Sequence, residues 1–409
     1  MAQQLFLALD LGTTTLGGRL LNCAGEVCAE ASQFNPQECY GADVLRRMEA
    51  AVAGNGELLQ QTMLRGIESL VAILLHQCSG EREHIVAAAA AGNPAITSLL
   101  QGLPVEKLLY PPHRPAQMLV TAIDVDALPV PLLLFPLVSG YVGGDLVAVL
   151  YQFADCAPGT FLVDVGTNGE MALFDGEQWW VTSVAAGPAF EGGNISCGMV
   201  ADNGAVTGVQ LDHDRLKLTV RGGGLPLGLC GSGLLEAISV GVVSGLIASD
   251  GTIADVDDID NNLIRYLDHN EQGSTLCLYR DATTRIELTQ DDIRQFQLAK
   301  GAVYAGAECL LSRAGMTAEE LDAVVVTGAL GFSMQREALK NVAMLPLNMI
   351  EKVIFYDGGV LAGLSRYLCA GGEADKLQDL ADSLRSYPLS GTPHFEKAFV
   401  DALNFSVRA

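Results

Sequence analysis

Apolar residues recur along the chain with two periods. Short runs in which every second residue is apolar alternate with longer stretches in which apolar residues return every three or four positions, the order expected of an α/β protein. LFLALDLGTTTLGGRLLN (residues 5–22) reads as a strand, a tight turn and a second strand, and TFLVDVGTNGEMALFDG (160–176) reads the same way. Each copy ends its first strand on an aspartate, Asp10 or Asp164, followed by x-Gly-Thr. Two such copies so far apart predict a duplicated domain rather than a short solenoid repeat.

The rest of the pattern supplies the remaining elements. Residues 41–78 carry helical spacing in LLQQTMLRGIESLVAILLHQ, IVAAAAAGN (85–93) is a short apolar strand, and a helix resumes after Pro94. Residues 140–153 and 231–247 predict helices, and 291–315 predicts a long one. Strands are expected at 179–187, 216–224, 323–331 and 352–359. A short helix is expected near Arg336–Val342, another over 360–371, and a charged helical tail over 372–409. The acidic stretch 250–260 reads as a solvated loop. The most apolar stretch, Leu128 to Leu150, is broken by Pro129, Pro131 and Pro136 and followed closely by glycines. It therefore predicts a buried strand running into a helix, not a membrane span.

Composition narrows the class. With 409 residues, 49% hydrophobic and 18% charged, the chain is globular and long enough for two or three domains. Acidic residues outnumber basic ones 48 to 24, and a net charge of −24 repels phosphate backbones, so nucleic acid is not an expected partner. The N-terminus lacks a basic n-region, so no signal peptide is expected and the protein is predicted to be cytoplasmic. Ten scattered cysteines form no CxxC pair and no zinc spacing. They are expected to be mostly inert core thiols.

The two hairpin turns carry the candidate chemistry. Glycine at Gly12, Gly166 and Gly169 lets backbone approach a ligand, and successive N–H groups in such turns form an anion-binding nest. Thr13, Thr14, Thr15, Thr167 and Asn168 add side-chain donors for phosphate oxygens. Asp10 and Asp164 repel phosphate directly, so as functional groups they hold Mg²⁺ through water or position the attacking water. Glu170 is a candidate for orienting water and equally for a structural place in its strand. A D-x-G-T turn alone is also simply a good hairpin turn; its pairing is what favours two donors sets on one triphosphate. Gly231 and Ser232 open a helix and either present N–H groups to an anion or form a turn into a buried helix.

With these residues in view, DLGTTT, DVGTNGE, VVVTGALG and GGVLAGLSRYL resemble the two phosphate motifs, the adenosine motif and the last connecting helix of the acetate and sugar kinase, Hsp70 and actin (ASKHA) superfamily. Within it the chain is similar to the reductive activators of corrinoid proteins. The strings that carry this are NPQECYGADVLRRME (35–49), AAAGNPAITSLLQGL (89–103), PLVSGYVGGDLVA (136–148), GPAFEGGNISCGM (187–199), GLCGSGLLEA (228–237), LTQDDIRQFQLAKGAVYAGAECLL (288–311) and HFEKAFVDALNF (394–405).

The resemblance implies two actin-like (ribonuclease H-like) lobes, 1–145 and 146–355, with a nucleotide cleft between them, and a C-terminal helix and tail (356–409) packing back on them. It implies ATP and Mg²⁺, with adenosine against Gly328, Ala329 and Gly331, and an ATP hydrolase coupled to returning Co(II) corrinoid protein to Co(I). Family members commonly carry an N-terminal iron–sulfur domain. This sequence begins at the first phosphate strand and its cysteines supply no such cluster, so a separate electron donor is expected. A homodimer is left open. Three rival readings stand beside this one: a small-molecule kinase, a nucleotide-gated scaffold, and an ATPase resembling the activators of 2-hydroxyacyl-CoA dehydratases. The last would ligate an intersubunit cluster through Cys197 and Cys230.

Overall fold

The computed structural model describes residues 4–270, 273–328, 330, 335–389 and 391–405. The strands are β1 (Leu5–Leu11), β2 (Thr15–Asn22), β3 (Val27–Phe34), β4 (Ile85–Gly92), β5 (Thr121–Ile123), β6 (Leu132–Leu134), β7 (Thr160–Val165), β8 (Asn168–Phe174) and β9 (Trp179–Ala185). They continue with β10 (Ala205–Asp212), β11 (Arg215–Val220), β12 (Gly228–Leu229), β13 (Leu267–Asn270), β14 (Gly273–Arg280), β15 (Arg285–Leu288), β16 (Ala323–Gly328) and β17 (Val353–Phe355). The helices are α1 (Val44–Ala50), α2 (Gly56–Gln77), α3 (Pro94–Leu100), α4 (Glu106–Leu109), α5 (Gly144–Gln152), α6 (Gly231–Val243), α7 (Gln290–Ala314), α8 (Arg336–Asn341), α9 (Leu347–Ile350), α10 (Gly359–Cys369), α11 (Ala374–Ser383) and α12 (Pro393–Asp401).

Two compact units result: Met1–Cys156 with Gly358–Ser386, and Ala157–Asp357 with Tyr387–Ala409. In the first, the strand order is β3-β2-β1-β4-β6-β5. β1 runs antiparallel to β2 and parallel to β4, β2 is antiparallel to β3, and β4 is parallel to β6. The second repeats this plan as β9-β8-β7-β16-β17, with β7 antiparallel to β8 and parallel to β16. The duplication read from the two hairpins is thus present as one topology used twice, a mixed α/β fold.

Each sheet is covered by helices whose apolar stripe faces it. In the first unit Leu5, Leu7, Leu9 and Leu11 are buried with Met63, Ile67, Leu70 and Leu74 of α2. Fully burying a leucine is worth about 1.5–3 kcal/mol, so this stripe holds α2 to the sheet. The helical run 44–77 is long and apolar enough to cross a membrane by those criteria alone. It is interrupted at Gly54, whose φ of 103° is not helical, and it seats α2 against β2 and β3. In the second unit Phe161, Val163, Val165 and Met171 pack with Phe296 and Val303 of α7. A Thr289–Asp292 capping box opens α7, and Gly315 in the left-handed region closes it.

The apolar stretch near residue 130 becomes β6 and then α5, as expected. The cysteines depart from expectation. Only Cys230, Cys277 and Cys309 are buried, whereas Cys23, Cys39 and Cys369 are exposed. Cys23 lies in a hairpin turn and Cys369 ends α10, places where the chain meets solvent.

Candidate functional site

In the first unit the site is built at the carboxyl end of β1. That strand has an antiparallel neighbour on one side and a parallel neighbour on the other, the position at which α/β sheets present ligands. Asp10 stands one residue before the end of β1, in register with Gly17 of β2 and Ala91 of β4.

The turn after it is held from beneath, carbonyl by carbonyl. Asn35 Nδ2 donates to Gly12 O at 2.8 Å, Arg47 Nη1 to Thr13 O at 2.8 Å, and the Asn35 amide to Thr14 O at 2.8 Å. In a planar trans peptide the carbonyl of one residue and the N–H of the next point in opposite directions. Pinning the carbonyls of Gly12, Thr13 and Thr14 inward therefore turns the N–H groups of Thr13, Thr14 and Thr15 outward, the arrangement of an anion nest. The Thr13 hydroxyl is buried and accepts from Asn93 Nδ2 at 3.0 Å, so it is tied to the end of β4.

Asn35, Arg47 and Asn93 were not singled out as site residues in the sequence, although each lies in a string shared with the corrinoid activators. A fourth unpredicted group is Asp145 at the start of α5, where Gly143 brings the chain against Gly92 and Asn93. Its carboxyl is pushed up to about 6 by burial, despite backbone hydrogen bonds that favour the charged form.

The second unit offers the matching position. Asp164 stands one residue before the end of β7, in register with Glu170 of β8 and Thr327 of β16. Directly opposed residues of an antiparallel pair point to the same face, so Asp164 and Glu170 share one side of the sheet. Glu170 is largely buried and accepts from Ser183 Oγ at 3.1 Å.

Parallel pairing carries Gly328, the glycine of the expected adenosine motif, to this end of the sheet. Its φ is +77°, and a Cβ there would lie 2.3 Å from Asp164 Oδ1. Only glycine fits. Ala329 and Gly331, the other two residues expected at adenosine, lie outside the described residues.

The Gly166 amide donates to Asn168 O at 2.9 Å and the Gly187 amide to Thr167 O at 2.8 Å, which shapes the turn from Gly166 to Gly169. The Thr167 hydroxyl donates to Glu191, a carboxylate in the segment Pro188–Glu191 that the sequence did not single out as a site residue. That hydroxyl has given its one proton away and presents only lone pairs to a ligand.

Gly231 and Ser232 open α6 in a buried setting. Any Cβ at Gly231 would stand 1.9 Å from Phe190 O, and Ser232 Oγ donates to Thr207 O at 3.0 Å. Close packing by itself requires glycine there.

Cys197, the half-buried one of the rival reading's two cluster ligands, and Cys230, the buried one, are both free thiols. Burial, with the Asp292 and Glu287 charges nearby, pushes the Cys197 thiol up to about 12. Cys230 is buried, with its sulfur within 3.3 Å of both Val206 O and Ser232 Oγ. A cluster needs thiolates, and the surroundings of Cys197 disfavour one. Among the described residues no three His, Cys, Asp or Glu side chains are grouped to hold a metal ion.

Comparison with known proteins bears directly on this geometry. The model of the C-terminal domain of RACo, the ASKHA domain, matches residues 159–408, and that of the RACo middle region matches 5–154. The chain belongs to the RACo family. Residues 159–408 therefore form an ASKHA domain, a nucleotide-binding fold, and residues 5–154 correspond to the RACo middle region. Among RACo-like relatives, the corrinoid activation enzyme RamQ of Eubacterium limosum is 27% identical over 96% of this chain and 69% of its own length. The [Co(II) methylated amine-specific corrinoid protein] reductase of Methanosarcina barkeri is 24% identical over 92% of this chain and 71% of its own. A solved structure, the reductive activator for corrinoid, iron–sulfur protein, superposes with a TM-score of 0.91 at 27% identity, covering 98% of this chain and 66% of that one. The chain thus spans about two thirds of the length of the relatives it matches.

Proposed function

We propose that this chain is the nucleotide-driven part of a corrinoid-protein activator. It binds MgATP through the two aspartate–glycine–threonine turns and couples ATP to the one-electron reduction of a Co(II) corrinoid protein to Co(I). A separate donor supplies the electron. The observation that carries this reading is the match over 98% of the chain to a reductive activator for a corrinoid, iron–sulfur protein. Two relatives named for corrinoid activation and corrinoid-protein reduction support the substrate class.

In this reading the outward N–H groups of Thr13 to Thr15 and the backbone of the turn from Gly166 to Gly169, that of Thr167 and Asn168 included, hold phosphate oxygens. Gly328 lets the end of β16 lie close beneath the nucleotide, and Gly231 and Ser232 contribute the N–H groups that open α6. Asp10 and Asp164 accept from water, and Glu170 and Glu191 orient it. Mg²⁺, when bound, neutralises charge between the phosphates; the acceptor-only face of Thr167 and the carboxylates of Asp10 and Asp164 suit its hydration shell.

ATP then acts by preferring the form that docks the corrinoid protein. A differential binding of about 5.5 kcal/mol moves an equilibrium from 1:99 to 99:1, and for one electron it equals roughly 240 mV.

The test mixes the protein, a Co(II) corrinoid protein and a low-potential chemical reductant, and follows the Co(I) absorbance. Co(I) should accumulate with MgATP, and far less without it or with D10A or D164A. Equal Co(I) formation with and without MgATP overturns the reading.

A further inference from the structure

The mechanism above uses the outward side of the turn at Gly12–Thr14 and leaves its underside unassigned. There Arg47 is completely buried, with Nε donating to Gly41 O at 2.9 Å and Nη1 to Thr13 O at 2.8 Å. Its other terminal nitrogen, Nη2, is buried and has no hydrogen-bond partner among the described residues. Both terminal nitrogens share one carbon, so the idle donor lies beside the bonded one, at the turn.

A staple for this turn does not need a charge. Asn35 fixes the carbonyls on either side of Thr13 with neutral amide groups. Burying a guanidinium instead is costly, and leaving one of its donors idle adds to that cost. Burial pulls the Arg47 pKa down, against the opposing fields of Glu38, Asp43 and Cys39. A charge retained at such expense beneath an anion nest has a natural counter-ion on the other side of the nest.

We propose that Arg47 positions the polyphosphate of the nucleotide at the first turn. It fixes the Thr13 peptide plane and supplies positive charge from beneath the turn. The inference rests on the reading of the first turn as a phosphate site. Arg47 is a positioning residue, since it acts through the turn.

The experiment measures MgATP and AMP binding by calorimetry for the wild-type protein, R47K and R47M, with circular dichroism and thermal unfolding to confirm folding. R47M should bind MgATP at least about tenfold more weakly while AMP, which lacks the β and γ phosphates, changes much less. R47K keeps the charge but cannot span the Gly41 and Thr13 carbonyls, and should lose affinity for MgATP to a smaller extent. The salt dependence of MgATP binding should be shallower in R47M than in wild type. If R47M fails to fold, the selective loss in R47K decides the matter. Folded variants that bind MgATP like wild type overturn the inference. So does an equal loss for MgATP and AMP, the mark of a purely structural residue. A folded wild-type protein that binds no MgATP overturns the reading of the turn itself, a result distinct from either.

Discussion

A hydroxyl has one proton to give, and Thr167 gives it to Glu191 from 24 positions farther along the chain. Thr167 was read from sequence as a donor to phosphate; bonded in this way it faces a ligand only as an acceptor, which suits a hydrated cation or a water proton. A hydrogen bond to a charged group is worth about 1.5–3 kcal/mol, enough to fix that orientation. In E191Q the amide can donate as well as accept, so the orientation is lost. The Mg²⁺ concentration needed for half-maximal ATP turnover should rise about tenfold or more, with ATP affinity in saturating Mg²⁺ little changed; an unaltered Mg²⁺ requirement would remove Glu191 from the site. E170Q, whose parent carboxylate already accepts from Ser183, should lower turnover without that shift in Mg²⁺ requirement. The sequence marks Asp10, Asp164 and the threonines because their chemistry sits inside a local turn motif. Asn35, Arg47 and Glu191 escape such a reading because each reaches its turn across the fold, and no short-range spacing records that approach.

At the scale of elements, the long helix α7 carries a lysine inside the second unit. Lys300 is completely buried, donates to the carbonyls of Asn404 and Ala343, and lies 5.5 Å from the Phe405 ring centroid, so it ties the segment after α12 to α7. Burial lowers its pKa from 10.5 to about 7. The unfolded chain keeps this proton up to the ordinary lysine value, so between those two values it binds more protons than the folded one. Stability from this group therefore rises with pH through that window, by up to about 1.4 kcal/mol per pH unit, while below about pH 7 both states are protonated and the burial penalty is fully present. Denaturant unfolding of wild type and K300M from about pH 6 to about pH 9 should show the difference moving in favour of wild type as pH rises; a constant difference would mean that the buried amine titrates normally. The helix and its period were plain in the sequence because twenty-five residues of regular apolar spacing average out local exceptions. The short strands β13 and β15 were not, since LDHN and RIEL are four residues each, too brief to establish a period.

For the whole molecule, the decisive regularity is a sheet plan used twice, with Asp10 and Asp164 at the same place in each copy. That much followed from two hairpin motifs, because a strand, a turn and an aspartate at the strand end fix which edge of the sheet presents the ligand. The accessory sheets β10-β11-β12 and β13-β14-β15 occur in the second unit without a counterpart among the described residues of the first, and the repeat could not announce them. A duplicated plan admits two functional outcomes: two independent sites, or one nucleotide served by both turns as proposed here. Coupling separates them. Residues more than 7–10 Å apart with no shared partner usually contribute additively, whereas residues acting on one bound group do not. D10N and D164N should each lower kcat/KM for ATP by about a hundredfold, the cost of a misplaced reacting group. If both aspartates order the same water and phosphate, the double variant should lose little more than the worse single one, as groups acting as a unit do. Losses that multiply to about ten-thousandfold would instead assign the two turns to separate events, and the single shared nucleotide would have to be abandoned.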